Sequence, residues 1–202
     1  MSISNAESAS VESRVLDAGR QCLLNSHGRR PTIAEVARIA GVSRPTVYRY
    51  WPELDSVIGD VLTRDIRRII ASVDATGTSL DAQVDRIVAV AERIRDDELL
   101  SELITNQPDM LAPYIFRRFG SSQQGALAQI QAGIAAGQRT GEIRTGAPEA
   151  LAAMVLTVTQ AAIQSYAQLA PIVGDGWSGE LRAVLRGYLA PTTSQNQEST
   201  DA

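Results

Sequence analysis

Along most of the chain apolar residues return every three or four positions, the spacing that lines one face of a helix. No alternation of apolar and polar residues runs long enough to make a strand. The breaks fall at helix-sized intervals: Gly28-Arg29-Arg30-Pro31, Gly41, Pro52, Thr76-Gly77-Thr78, Pro108, Gly120, then residues 141–148 and 171–179. The pattern predicts an all-α protein of about nine or ten helices. One of them carries Leu54, Val57, Ile58, Val61, Leu62, Ile66, Ile69, Ile70 and Val73 and would run roughly 30 Å, long enough to join an N-terminal head to the body as a rigid strut. Residues 149–168 are apolar or small on nearly every side, which suits a helix covered both by its own subunit and by something else. Residues 180–189 are amphipathic, with Leu181, Val184, Leu185, Tyr188 and Leu189 on one face and Arg182 and Arg186 on the other. Residues 1–10 and 191–202 are polar and aperiodic, and are expected to be mobile tails.

The stretch 32–51, TIAEVARIAGVSRPTVYRYW, carries the chemistry. Thr32 with Glu35 three residues on is a capping box, so a helix should start there and bury Ile33, Val36, Ala37 and Ala40. Gly41 ends it at a corner that needs a small residue and then a φ-permissive one. Ser43 can cap a second, short helix. Pro45 falls in its first turn, where a missing N–H costs nothing, and Val47 points back to the core. That leaves Arg44, Thr46, Tyr48, Arg49 and Tyr50 outward, a set able to read base edges or bind phosphate oxygens. Tyr48 and Tyr50 could instead be half-buried core residues, and a helix-turn-helix can also dock proteins. The local charge argues for a polyanion: five arginines and one acid lie between His27 and Trp51, in a chain of net charge −4. Arg44, Pro45, Thr46 and Arg49 are the candidates for base reading. Thr32, Ser43, Tyr48, Tyr50, Arg29 and Arg30 are the candidates for phosphate contact.

At these residues the chain resembles the TetR family of bacterial transcriptional regulators, whose N-terminal domain carries a motif of the form A-G-V-S-x-x-T-[LV]-Y-x-[YH]-[FW]. The likeness covers roughly residues 11 to 62, with a weaker echo in Ala136-Gly137-Gln138-Arg139-Thr140-Gly141-Glu142-Ile143-Arg144. It departs from the family after Trp51, where a lysine that contacts phosphate in several relatives is replaced by Leu54 in the run Pro52-Glu53-Leu54-Asp55. The resemblance implies a three-helix DNA-binding domain over residues 11–53 and a helical ligand-binding and dimerisation domain over 54–190. It also implies a homodimer through roughly residues 147–190 that reads an inverted repeat on double-stranded DNA. Val155, Val158, Leu181, Val184, Leu185 and Tyr188 are candidates for the dimer interface. Family members typically leave DNA when a small molecule enters the body. The candidates for such a pocket are Asn106, Gln107, Met110, Tyr114, Phe116 and Phe119, with Thr157, Gln160, Gln164 and Tyr166 further on. For each the alternative is a polar group satisfied by its neighbours or facing water. Aromatics make up only 4% of the chain, which disfavours a stacking cage and leaves an aliphatic or amphiphilic effector as the expectation.

Composition narrows the alternatives. The 202 residues, 44% hydrophobic, suffice for a sizeable core. All 19 basic residues are arginine, which reads first as the codon bias of a GC-rich genome and only secondarily as suited to bidentate contacts. Cys22, the single cysteine, reads as a buried core thiol. His27, the single histidine, reads as a helix-end or loop residue. No metal-ligand spacing, phosphate loop or nucleophile–base pair is present, so no enzyme, cofactor or metal is expected. The acid run Asp96-Asp97-Glu98 reads as a solvated loop and helix start. No targeting signal and no membrane-spanning run is found, and the expected location is the cytoplasm.

Overall fold

The computed structural model describes residues 3–26, 28–74, 77–116 and 120–191, and among these the side chains other than those at positions 3–9, 113, 115 and 116. The described residues form α1 (Ile3–Leu24), α2 (Ile33–Ala40), α3 (Arg44–Tyr50), α4 (Leu54–Ala71), α5 (Leu80–Asp96), α6 (Glu98–Asn106), α7 (Pro108–Phe116), α8 (Ser121–Arg139), α9 (Pro148–Gln164), α10 (Tyr166–Val173) and α11 (Trp177–Leu189), with a short 3-10 turn at Gly174–Gly176. The all-helical expectation holds among them. The count reaches eleven because a single-residue break at Ser165 divides a segment that the sequence pattern runs together, while the break before Pro108 falls where the sequence places it. The chain parts into two compact units, Met1–Ser72 with Arg93–Gln124 and Val73–Glu92 with Gly125–Ala202. This division differs from the expected boundary after residue 53, since α4, α6 and α7 group with the helix-turn-helix.

In the first unit α1 packs against α2 and α4, burying Val15, Leu16 and Leu23 against Val36, Ala37, Val57, Val61 and Leu62. Cys22 is buried in the same layer, and loss of hydration pushes its thiol pKa up. Residues 3–10, expected as part of a tail, continue α1 backwards, because adding a turn to an existing helix needs no new nucleus. Helix α4 stops at Ala71, where the Ser72 N–H reaches the Arg68 and Ile69 carbonyls, so Val73 lies outside it. Apolar periodicity does not flag two of its buried residues, Thr63 and Asp65. Asp65 accepts a hydrogen bond from Arg20 Nε at 2.8 Å, and Asp97 lies 3.7 Å from Arg20 and 3.5 Å from Arg68. A carboxylate this deep needs such partners, since an isolated buried charge is costly. Asp97 also caps α6 through the N–H groups of Leu99 and Leu100, so only part of the acid run is solvated.

In the second unit α9 and α11 pack together through Leu151, Ala152, Val155 and Ile163 on one side and Trp177, Leu181, Leu185 and Leu189 on the other. The segment after α8 locks this pair in place. Ile143 folds back onto Gly137 so closely that a Cβ there would sit 2.6 Å from its Cδ1, which excludes any larger residue. Arg144 donates from its backbone N–H to Leu189 O and from Nε to Tyr188 O, with its guanidinium 4.5 Å above the Tyr188 ring. Glu142 accepts from the Leu80 N–H at the start of α5. The helix expected over 149–168 ends at Gln164 instead. The chain bends by 78° there, and Tyr166 turns edge-on to Trp177 at 5.6 Å. Among the described residues no single helix is long and apolar enough to cross a membrane.

Candidate nucleic-acid interface

Thr32 caps α2 in extended backbone conformation, accepting from the Glu35 N–H, while the Glu35 carboxylate accepts from the Thr32 N–H at 2.8 Å. Both halves of the predicted box are therefore present. At the other end Gly41 adopts φ 64°, and the Val42 N–H closes on Ala37 O. Ser43 caps α3 by accepting from the Thr46 N–H, with the Ser43 and Thr46 hydroxyls 2.8 Å apart. Val47 is fully buried and fixes the rotation of α3, so Arg44, Pro45, Tyr48 and Arg49 emerge from the surface and Thr46 and Tyr50 lie half-exposed. Tyr48 is 53% exposed, against its core alternative. Arg49 lies over the Tyr50 ring, 4.9 Å from its centroid, and donates to the phenol oxygen. Buried Trp51 ends the helix, and its Nε1 donates to Asp60 at 2.8 Å, tying α3 to α4.

The charges around this corner are unevenly engaged. Arg29 pairs with Glu35 at 2.6 Å, and Arg30 pairs with Asp55 in the first turn of α4. Arg29 together with the Thr32 backbone and hydroxyl holds the Glu35 carboxyl down at a pKa of about 2. Arg44, by contrast, has no carboxylate partner among the described residues. Nor has Arg38, an exposed residue of α2 that the motif reading passes over. Its signal was available: Arg38 lies outside the buried set Ile33, Val36, Ala37 and Ala40, on the solvent side of an amphipathic helix.

The other candidate residues fall in both units. In the first, Gln107 is buried, taking a hydrogen bond from Ser26 and donating to Glu102. Met110 is core, and the Tyr114 hydroxyl shares hydrogen bonds with Thr63 and Ser122. Asn106 is exposed, donates to Glu102, and helps line an open hollow of about 430 Å³ with Leu24, Asp96, Glu98, Ser101 and Thr105. Phe119 and the side chain of Phe116 lie outside the described residues, as does His27. In the second unit, Thr157 is exposed and donates to Ala153 O, while Gln160, Gln164 and Tyr166 are half-buried.

The interface candidates divide sharply by exposure. Val155, Leu181 and Leu185 are buried within their own unit, because the face that reads as one apolar stripe is what joins α9 to α11. Tyr188 is half-buried beneath Arg144, and Val158 is half-buried. Val184 is exposed, and beside it on the same helix face lie Ala183 and Gly187. The outward stripe of α9 is Ala150, Ala153, Met154, Thr157 and Ala161. Among the described residues no group of three or more His, Cys, Asp or Glu is placed to hold a metal ion.

Comparison with known proteins agrees with this architecture. A family described as the helix-turn-helix domain of resolvase matches residues 28–54, the α2–α3 corner and its flanks. HTH-type transcriptional regulators of uncharacterized role from Mycobacterium bovis and Mycobacterium tuberculosis are 38% identical over 190 residues, covering 94% of this chain and 99% of theirs. Among solved structures, the R. erythropolis transcriptional repressor QsdR, of the TetR family, superposes with a TM-score of 0.65 at 17% identity, covering 89% of this chain and 94% of that one. RolR in complex with resorcinol gives 0.67 at 13% identity, covering 93% and 91%. The mycobacterial relatives and QsdR are named as transcriptional regulators. The helix-turn-helix with its capped corner, the all-helical units and the near full-length relatives together make this chain an HTH-type transcriptional regulator, with the fold of TetR-family structures.

Proposed function

We propose that the protein is a homodimeric repressor that reads an inverted-repeat operator with α3 and leaves it when an aliphatic or amphiphilic small molecule binds in the body. The observation that carries the DNA contact is the outward set on α3, with Arg44 free of any carboxylate among the described residues while Val47 holds the helix in register. Arg44, Pro45, Thr46 and Arg49 face base edges in this reading, and Thr32, Ser43, Tyr48, Tyr50 and Arg38 take phosphates. The dimer contact is supported by the small-residue outward stripe of α9 around Met154 and by the exposed Ala183, Val184 and Gly187 of α11. Two copies related by a two-fold axis would present two α3 helices to successive major grooves, and the location proposed is the cytoplasm.

A second reading, a regulator with no small-molecule effector that is constitutive or controlled by a protein partner, also has support. Gln107 and Tyr114 are already hydrogen-bonded within their unit, as is Thr157, so none is left seeking a ligand. The experiment that tests the main reading is capture of sheared genomic DNA by the purified protein at near-physiological salt. Recovery of inverted repeats near promoters supports a specific dimer, and retention without a shared motif contradicts it. Repeating the capture with amphiphiles in the buffer separates the two readings, since only the first expects release.

A further inference from the structure

The two arginines leading into α2 are each engaged by a carboxylate of their own unit, Arg29 by Glu35 and Arg30 by Asp55. All four side chains are exposed to water by a third or more, so both pairs are made where ion pairs are weak and readily exchanged. Arg30 stands two residues before the cap of α2 and Asp55 is the second residue of α4, so their pair bridges the starts of these two helices. Such places favour an anion, and here Asp55 is the anion present. The neighbouring Leu54 supplies no cation.

We propose that Asp55 is a built-in competitor of the DNA backbone. It holds Arg30 in the free protein, and binding requires Arg30 to exchange this carboxylate for a phosphate. The proposal rests on the reading of the α2–α3 segment as the DNA-contacting surface, and it makes Asp55 a residue that tunes affinity without touching a base. Ion counting gives it a distinctive signature. A free arginine that neutralises a phosphate releases a condensed cation, but an arginine that leaves a carboxylate behind bares a charge that gathers a cation again, so the two cancel. The Arg29–Glu35 pair is the internal contrast. Glu35 also accepts from the Thr32 N–H within the capping box, so it remains satisfied whichever way Arg29 turns.

The test is a salt titration of DNA affinity for the full-length protein, using a captured operator and a scrambled duplex. Wild type is compared with Asp55→Asn, Arg30→Ala, the double variant, and Asp85→Asn as a charge-matched change in the other unit. Asp55→Asn should bind both duplexes roughly two- to fivefold more tightly at low salt, the range an exposed ion pair allows. Its dependence of log K on log salt should be steeper by about 0.9. Both effects should vanish in the double variant and be absent in Asp85→Asn. If Asp55→Asn lowers the melting temperature, Asp55→Ser, another residue suited to a first turn, must show the same gain. An unchanged slope and affinity, or a gain that survives Arg30→Ala, overturns the proposal alone. Wild-type protein that binds neither duplex at any salt overturns the DNA-contact reading and the proposal with it.

Discussion

The solvent face of α3 and the solvent faces of α9 and α11 are both left uncovered by their own units, and they are clothed in opposite chemistry. On α3 the outward residues are two arginines, hydroxyl-bearing residues and two tyrosines around one buried valine. On α9 and α11 one outward stripe carries alanines, a glycine, a threonine, Met154 and Val184 over a row of buried leucines and valines, while the exposed Arg182 and Arg186 of α11 pair with Asp85 and Asp81. A helix held by a single apolar contact can present long polar groups because little of its surface is needed for the fold. A helix pair whose inner stripe builds the core leaves small residues outside, a surface that another protein can approach closely. The first face therefore suits a polyanion and the second suits another protein surface.

That comparison can be broken in several ways. The inner row of α11 should behave as core: Leu185→Ala is expected to cost about 2–5 kcal/mol of stability, read by denaturant unfolding, and a neutral result would mean the packing of α9 on α11 is misplaced. The outer row should leave the fold intact. Val184→Asp or Met154→Asp should keep its helicity and melting temperature while raising the dimer dissociation constant by roughly a hundredfold, because like charges then face one another across the two-fold axis. Sedimentation equilibrium decides, and an unaffected dimer would place the contact elsewhere. On the polar face, Arg44→Ala should lose about 1–3 kcal/mol of operator affinity and relax preference at one base position, and unchanged preference would remove it from base reading.

Smaller effects sharpen the same contrast. Thr32→Ala removes the α2 cap and should lower stability by about 1 kcal/mol, while any loss of DNA affinity should be even across sequences. A loss confined to one base pair would contradict the phosphate role. Glu35 gives the smallest signal. Its carboxyl is held below its ordinary value by Arg29 and Thr32, at about 2 instead of 4.5. Protonation is thus favoured in the unfolded chain, and the stabilising contribution of the cap is fully present above pH 4.5 and lost as pH falls towards 2. An NMR titration of the Glu35 carboxyl with a midpoint near 4.5 would show that the box does not hold the charge.

The α2–α3 corner was legible because its signals are local. A capping box, a glycine at positive φ, a serine cap and a proline in the first turn each act within four residues, and all are found where the sequence places them. The Asp65–Arg20 pair was not legible, because 45 residues separate groups whose meeting depends on how α1 lies along α4. The same holds for Arg30 and Asp55, which look like free charges until the starts of α2 and α4 come together. In α9 the uniform run of small residues hid both the break at Ser165 and the choice of inner stripe. Val155 and Val158 are equally apolar, yet only one is fully buried.

By itself the sequence determined the helical class, the capped helix-turn-helix and the residues that α3 presents, since hydrophobic period and capping chemistry operate within a turn or two of helix. Tertiary structure alone decided which apolar residues are core and which remain outside, where α9 bends, and which arginines are already held by carboxylates. Those outcomes depend on surfaces and charges from distant parts of the chain, whose approach no local pattern encodes.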